Sequence, residues 1–286
     1  MTKLYIDAGT SWSKVLEIYE DENDLINSPL RVIENLNSFM YKMENCHSSS
    51  FCHPERSEGS VHFGIKPISA SCIESSASLQ NGNSIGNKRF FLFPSKFFAQ
   101  IEVNFDGATG HMVKNRVNPD GLYQNEMLSL AYGAKKLLNQ DDLKEATIVD
   151  IGSRDIKWVR FMDGKYKDLD WNGSCGSVTG ATVEMLSKFY SVDVSKIIPQ
   201  QEKIPVTCGV FAMEKIMDEI ASNVSADIAI AKYIHGIAYN TWNFSGNPNK
   251  IYLPGGFCLN KCFIDSLGFY CDVVPIGRLI LLEGLH

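Results

Sequence analysis

Asp7-Ala8-Gly9-Thr10 followed by Lys14, and Asp150-Ile151-Gly152-Ser153 followed by Lys157, spell one pattern twice: D-x-G-[ST]-x-x-x-K. Each copy follows an apolar run, Leu4 to Ile6 and Thr147 to Val149. Each precedes another, Val15 to Tyr19 and Trp158 to Phe161. A strand, a tight glycine turn and a returning strand therefore occur twice. The repeat predicts two similar halves built around one site.

The turn has chemistry of its own. A glycine at a strand end lets backbone N–H groups approach an anion closely, and Thr10 or Ser153 adds a hydroxyl donor. The aspartate before it suits Mg²⁺ held through water. Two such turns facing each other would clamp the β- and γ-phosphates of a nucleotide, with Asp7 and Asp150 near the metal. Lys14 and Lys157 either touch phosphate or are surface lysines on the returning strands. Taken singly, each copy also fits an ordinary hairpin turn, where Asp and Gly are common. The duplication, with a lysine at the same offset, favours the nucleotide. Gly255-Gly256, after Ile251 to Pro254, offers a third approach point suited to an adenosine or α-phosphate.

Bulk properties narrow the field. A chain of 286 residues with 44% apolar residues has ample core for one large domain or two moderate ones. The net charge of −6, with scattered Lys and Arg, excludes a general nucleic-acid surface. No apolar run is long enough to span a bilayer, and the first residues lack the sections of a signal peptide, so a cytoplasmic protein is expected. Eight cysteines then read as free thiols or metal ligands, not a disulfide framework.

Along the chain, residues 3–8 and 13–19 predict the first hairpin and 146–162 the second. From Cys46 to Lys88 the composition turns to Ser, Gly and Asn without apolar period, which predicts a disordered insertion at 46–88. Its stretch Cys52-His53-Pro54-Glu55-Arg56-Ser57-Glu58-Gly59-Ser60 resembles translated bacterial repeat elements, and its Cys and His residues read as incidental. Residues 99–106 predict a strand, 107–110 a turn and 118–121 a break. Helices are predicted at 122–138, 180–190, 211–223 and 226–243, with strands at 250–254 and 273–275 and a final helix from Gly277. The order of elements predicts an α/β protein of two similar domains with a cleft between them.

These motifs together resemble the actin, hexokinase and Hsp70-type ATPase superfamily. The chain is more closely similar to its BadF/BadG/BcrA/BcrD branch, the ATP-dependent activators of 2-hydroxyacyl-CoA dehydratases and related benzoyl-CoA reductase subunits. Beyond the two turns, the resemblance is carried by Ala108-Thr109-Gly110, by Asn125-Glu126-Met127-Leu128 leading to Tyr132-Gly133-Ala134, and by Asp155. It continues through Trp171-Asn172-Gly173-Ser174-Cys175 to Thr179-Gly180, Thr207-Cys208-Gly209-Val210-Phe211-Ala212-Met213-Glu214, Ile234-His235, and Gly255-Gly256 to Asn260. All occur in order and span the chain outside 46–88.

The resemblance implies two ribonuclease H-like domains of the actin-like ATPase fold with an interdomain nucleotide cleft. The domains would be 1–125 and 126–286, with the C-terminal helix packing back on the first. It implies ATP and Mg²⁺ handled by Asp7 and Asp150, with Gly9, Thr10, Lys14, Gly152, Ser153, Gly255, Gly256 and Asn260 around the nucleotide. It also implies a [4Fe–4S] cluster held by Cys175 and Cys208 of each subunit across a homodimer axis. Four thiolates suit a cubane, so two per chain require a second copy. Read from spacing alone, either cysteine fits a small buried apolar residue better than a ligand. A ferredoxin or flavodoxin would reduce the cluster. ATP binding and hydrolysis would then change the angle between domains and drive the electron into an iron–sulfur dehydratase or reductase.

Several positions depart from the branch. Ser153 and Arg154 stand where it has Gly and Gln, Gly173 and Ser174 where it has Asp and Lys, Val178 where it has Gly, and Met213 where it has an acidic residue. ATP binding is thus a firmer expectation than hydrolysis. Two other readings share the cleft: a small-molecule (sugar-type) kinase with Asp106 or Glu126 as base, and a nucleotide-binding regulator without turnover.

Overall fold

A computed structural model of the chain describes residues 2–21, 30, 41–43, 87–172 and 179–286. Nearly all of the proposed insertion, together with Cys175 and the Cys and His residues of 46–88, lies outside the described residues. Two compact units emerge, 1–137 with 279–286, and 138–278.

In the first unit, β1 (Lys3–Ala8) and β2 (Trp12–Tyr19) form the first hairpin. The sheet is completed by β3 (Tyr41–Met43), β4 (Asn87–Pro94), β5 (Phe105–Thr109) and β6 (Val117–Tyr123), in the order β3-β4-β2-β1-β5-β6. Helix α1 (Glu126–Leu137) follows. The second unit opens with the hairpin of β7 (Glu145–Ile151) and β8 (Ile156–Met162), extended by β9 (Lys165–Asn172). Then come α2 (Gly180–Phe189), α3 (Gly209–Ala221), α4 (Ala226–Phe244), β10 (Lys250–Pro254), α5 (Lys261–Leu267) and β11 (Asp272–Gly277). The short α6 (Ile280–Glu283) returns to the first unit.

The second sheet runs β9-β8-β7-β10-β11, with β7, β8 and β9 antiparallel and β7, β10 and β11 parallel. Without β3, the first sheet has the same plan: β4-β2-β1-β5-β6, antiparallel through β1 and parallel beyond it. The duplicated turn is thus one part of a duplicated sheet. This is the mixed α/β architecture of the actin-like ATPases. Both central strands are buried almost throughout, β7 from Ala146 to Ile151 and β1 from Ile6 to Ala8. A strand covered on both faces reads as a continuous apolar run, which is why these two stood out in sequence.

Other expectations need correction. Asn87 and Lys88 belong to β4 and not to the insertion. Residues 95–100 form a 3₁₀ turn, and the strand expected at 99–106 is β5, which continues through Gly107, Ala108 and Thr109. The break at 118–121 lies inside β6, the last strand of its sheet, where an edge position tolerates Pro119. Helix α1 starts at Glu126, four residues later than expected, and β11 runs to Gly277, so the final helix begins only at Ile280. Strand β9 and helix α5 are not among the elements the sequence predicts. Every residue of β9 is exposed, and its lysines and aspartates guard a sheet edge without leaving an alternating pattern.

Helix α1 groups with the first unit, so the division falls at 137/138 instead of 125/126. The reason is close packing against the C-terminal segment. A Cβ on Gly133 would overlap the carbonyl oxygen of Ile280, and one on Gly284 would overlap that of Ser129. Gln124 joins the contact, its Nε2 donating to Gly284 O at 3.0 Å and to Ser129 Oγ at 2.9 Å.

Candidate functional site

In the first unit Asp7 is buried, and its strand register sets Lys14 directly opposite. The Lys14 ammonium pairs with Asp7 Oδ2. The turn beyond runs through Gly9, Thr10 and Ser11. Among the described residues no protein acceptor meets the backbone N–H of Thr10 or Ser11, which leaves them as donors for an anion. A Cβ on Gly9 would lie 2.6 Å from Trp12 O, so the tightness of the turn requires glycine. Ser95, just past β4, holds the turn from outside: its Oγ donates to Gly9 O at 2.6 Å and its N–H to Ser11 O at 2.9 Å.

In the second unit the register repeats, with Asp150 opposite Lys157. Here Lys157 Nζ donates to Asp155 Oδ1 at 2.7 Å. Gly152 N–H donates to Asp155 O at 2.9 Å and closes the turn, while the N–H groups of Ser153 and Arg154 meet no protein acceptor among the described residues. Arg154 is exposed beside Ser153. Gly255 lies beside this turn, since Ile151 bridges to it. Gly255 takes φ +80, and a Cβ there would overlap Asp150 Oδ1. Gly256 faces open space. Asn260 caps α5, its side chain accepting from Phe263 N–H at 2.9 Å, which gives it a local structural task.

Alignment of the two sheets exposes residues the sequence reading missed. Tyr5 pairs with Gly107 and its counterpart Ile148 with Tyr252, so Thr109-Gly110 corresponds to Pro254-Gly255. Gly110, at φ +97, is therefore the counterpart of Gly255, and a Cβ there would overlap Ala8 O. Thr109 sits in register with Asp7, and its Oγ1 is buried without a hydrogen-bond partner among the described residues. The x-G repeated at the ends of β5 and β10 is the available signal. Asp106, considered as a base, accepts from Leu4 N–H at 2.8 Å and Asn118 Nδ2 at 2.9 Å and serves the sheet. Glu126 lies in the first turn of α1.

Of the two proposed cluster ligands, Cys208 is described. It is the N-cap residue of α3, half-buried and free, and makes no capping hydrogen bond. The amide end of a helix suits an anionic group bound beside it. Next to it α3 exposes Val210 (69%) and Phe211 (61%), with Met217 two turns on along the same face. Among the described residues no group of three or more His, Cys, Asp or Glu could hold a metal ion. Burial pushes the Cys262 and Cys271 thiols up to about 11 and marks them as packing groups. No helix among the described residues is long and apolar enough to cross a membrane.

No protein-family profile matches the chain. It is similar to the (R)-2-hydroxyglutaryl-CoA dehydratase activating ATPase of Acidaminococcus fermentans, with 23% identity over 149 residues. That match takes in 46% of this chain and spans 56% of the relative, about half its length. Among solved structures, the activator of the 2-hydroxyisocaproyl-CoA dehydratase from Clostridium difficile, with bound ADPNP, superposes with a TM-score of 0.59 and 17% identity, covering 99% of this chain and 92% of that one. Component A of the Acidaminococcus fermentans (R)-2-hydroxyglutaryl-CoA dehydratase gives 0.58 and 15%, covering 99% and 95%.

Proposed function

We propose that this protein is a cytoplasmic, homodimeric ATP-dependent activator of a 2-hydroxyacyl-CoA dehydratase or a related iron–sulfur enzyme. The observation that carries the reading is the repeated turn at the end of a repeated sheet, with an aspartate opposite a lysine in both copies. The similarity to a dehydratase activating ATPase and the fold shared with an ADPNP-bound activator support it.

The turn amides of Thr10 and Ser11 in one unit, and of Ser153 and Arg154 in the other, bind phosphate oxygens. Gly9 and Gly152 let the backbone come close enough, and Gly255-Gly256 supports the rest of the nucleotide. Fixed donors aimed at the transferred phosphoryl group would provide most of the rate enhancement. Asp7 and Asp150 fit Mg²⁺ as buried carboxylates beside the turns, and the space for Asp150 exists only because residue 255 lacks a Cβ. Lys14 balances the charge of Asp7 until the cation arrives. Cys208, an uncapped thiol at a helix amide end, fits a thiolate-ligated cluster, with Cys175 as its partner ligand in each subunit. When bound, Mg²⁺ neutralises phosphate charge and a [4Fe–4S] cluster supplies one-electron reducing chemistry. The exposed Val210 and Phe211 beside Cys208 give a second copy an apolar face to cover. The electron donor would be a ferredoxin or flavodoxin.

Anaerobic purification with iron and sulfide analysis tests this directly. The expected result is a dimer with about four irons that binds ATP and loses its iron in Cys208→Ser or Cys175→Ser. A colourless monomer that phosphorylates a sugar would overturn the proposal.

A further inference from the structure

One row of side chains crosses the first sheet beside the Gly9 turn. The register sets Asp7 on β1 opposite Lys14 on β2 and opposite Thr109 on β5. Residues opposite one another share a face of the sheet, on strands about 4.8 Å apart. The Lys14 ammonium reaches across and takes Asp7 Oδ2. Thr109 does not reach Asp7: its Oγ1 is buried and meets no hydrogen-bond partner among the described residues. Asp7 Oδ1 likewise receives no donor from the described residues.

The row therefore sets a donor and an acceptor side by side, each unmet, on residues only 0% and 2% exposed. Burial makes both costly to leave so, and a valine would fill the place of Thr109 without that cost. The strand end that carries the hydroxyl is fixed. Gln124 N–H donates to Ala108 O at 2.9 Å, and the Tyr123 hydroxyl donates to Gly110 O at 3.2 Å. A single oxygen satisfies both groups when it accepts from Thr109 Oγ1 and donates to Asp7 Oδ1. With contacts of about 2.8 Å, such an oxygen bridges groups about 4.5–5.5 Å apart, the spacing of neighbouring strands. An ionised phosphate oxygen only accepts, whereas water does both. The second sheet has no such arrangement, because Pro254 stands in the place of Thr109 and carries no hydroxyl.

We propose that Thr109 and Asp7 hold the water that attacks ATP, with Thr109 Oγ1 fixing its orientation. This rests on the reading of Gly9 to Ser11 as a phosphate turn. The water oxygen bonds to the γ-phosphorus as the bond from that phosphorus to the ADP oxygen breaks. One hydrogen stays on the oxygen now bound to phosphorus. The other passes to Asp7 Oδ1 and on to solvent, while Oδ2 stays with Lys14 or the cation that replaces it. The amides of Thr10 and Ser11 take the charge of the phosphoryl oxygens. Both turns bind phosphate, and the first also presents the reacting oxygen.

The test uses the full chain, purified anaerobically, with Mg²⁺. It reads steady-state release of phosphate from ATP and the affinity for a non-hydrolysable ATP analogue. Thr109→Val removes the hydroxyl and keeps the shape, while Thr109→Ser keeps the hydroxyl. The valine variant should lower kcat by about thirty-fold or more and hold analogue affinity within about three-fold. The serine variant should keep kcat within about three-fold of the parent. Should Thr109→Val not fold, Thr109→Ser and Thr109→Ala divide the same way, since both shorten the side chain and only serine keeps the hydroxyl. A valine variant with the parent's kcat overturns the proposal, as does a loss of affinity that accounts for the whole effect. So does a parent protein that binds the analogue and releases no phosphate, which leaves the nucleotide reading intact. Transfer of phosphate only to an added sugar, or no binding at all, sinks the proposal together with the activator function.

Discussion

Two neighbouring glycines carry opposite tolerances. Gly255 lies in the left-handed region and its missing Cβ makes room for the Asp150 carboxylate, while Gly256 has open space around it. The backbone penalty for a side chain at 255 is about 1–2 kcal/mol, and displacement of a buried carboxylate adds to it. Gly255→Ala should therefore lower the melting temperature and weaken ATP by about tenfold or more, worth 1.4 kcal/mol or above. Gly256→Ala should leave stability nearly unchanged. Equal effects of the two in calorimetry and thermal melts would remove the steric argument. The thiols divide in a similar way. With pKa values near 11 in Cys262 and Cys271, only about one thiol in a thousand is ionised at pH 8. Cys208, half-buried at a helix start, should alkylate first among the described cysteines under native conditions. Peptide mapping after a short iodoacetamide pulse decides this.

At the scale of elements, legibility followed burial and proximity in the chain. Both hairpins were readable because two apolar runs flank one turn, and α2, α3, α4 and β10 because each keeps its period. Strand β9 escaped because it has no buried face, and β6 because Pro119 and Gly121 argue against a strand unless it lies at an edge. The Ser95 tether of the first turn was beyond reach. Ser95 and Gly9 are 86 residues apart, and a serine after a strand announces no partner. The short α6 shows what such distant contacts do. His286 Nδ1–H donates to Leu282 O at 3.0 Å, and its Nε2 accepts from Lys88 at 3.1 Å, which fixes the neutral tautomer. Burial, then the Lys88 charge and after it the Lys136 charge, push its pKa down to about 4 against the hydrogen bond to Leu282 O, which raises it, while Glu283 stands 3.4 Å away and the Tyr5 ring beside it. The folded value lies below the ordinary 6.5, so the unfolded chain binds the extra proton. The stability that His286 contributes is then full above about pH 6.5 and is lost as pH falls towards 4, by up to about 3 kcal/mol, while Glu283, whose carboxyl burial pushes up, acts in the opposite direction. Protection factors in 279–286, which allow for the slower intrinsic exchange at low pH, should fall from pH 7 to 4 more in the parent than in His286→Gln. The same pH dependence in both would contradict it.

For the molecule as a whole, the repeated strand order explains why one short pattern could disclose so much. A duplicated sheet places its two sharpest turns at the same register, and the sequence keeps the residues those turns require. What duplication does not preserve is equally telling: Thr109 against Pro254, and Trp12 against Asp155. The chain path adds an asymmetry that the repeat conceals. The second unit is a continuous stretch, 138–278, whereas the first is assembled from 1–137 and 279–286. Ile280, Leu281, Leu282 and Leu285 are all buried, and at about 1.5–3 kcal/mol each they amount to roughly 6–12 kcal/mol. That is comparable with the whole stability of a domain, about 5–15 kcal/mol. The fragment 138–278 should therefore unfold cooperatively in urea on its own. The fragment 1–137 should not, and should recover a cooperative transition when 279–286 is joined to it through a short flexible linker. A cooperative 1–137 alone would show that the C-terminal segment is an ornament to the first unit. Its absence, with recovery on addition of eight residues, would show that the first unit cannot complete its core until the last turn of the chain has been made.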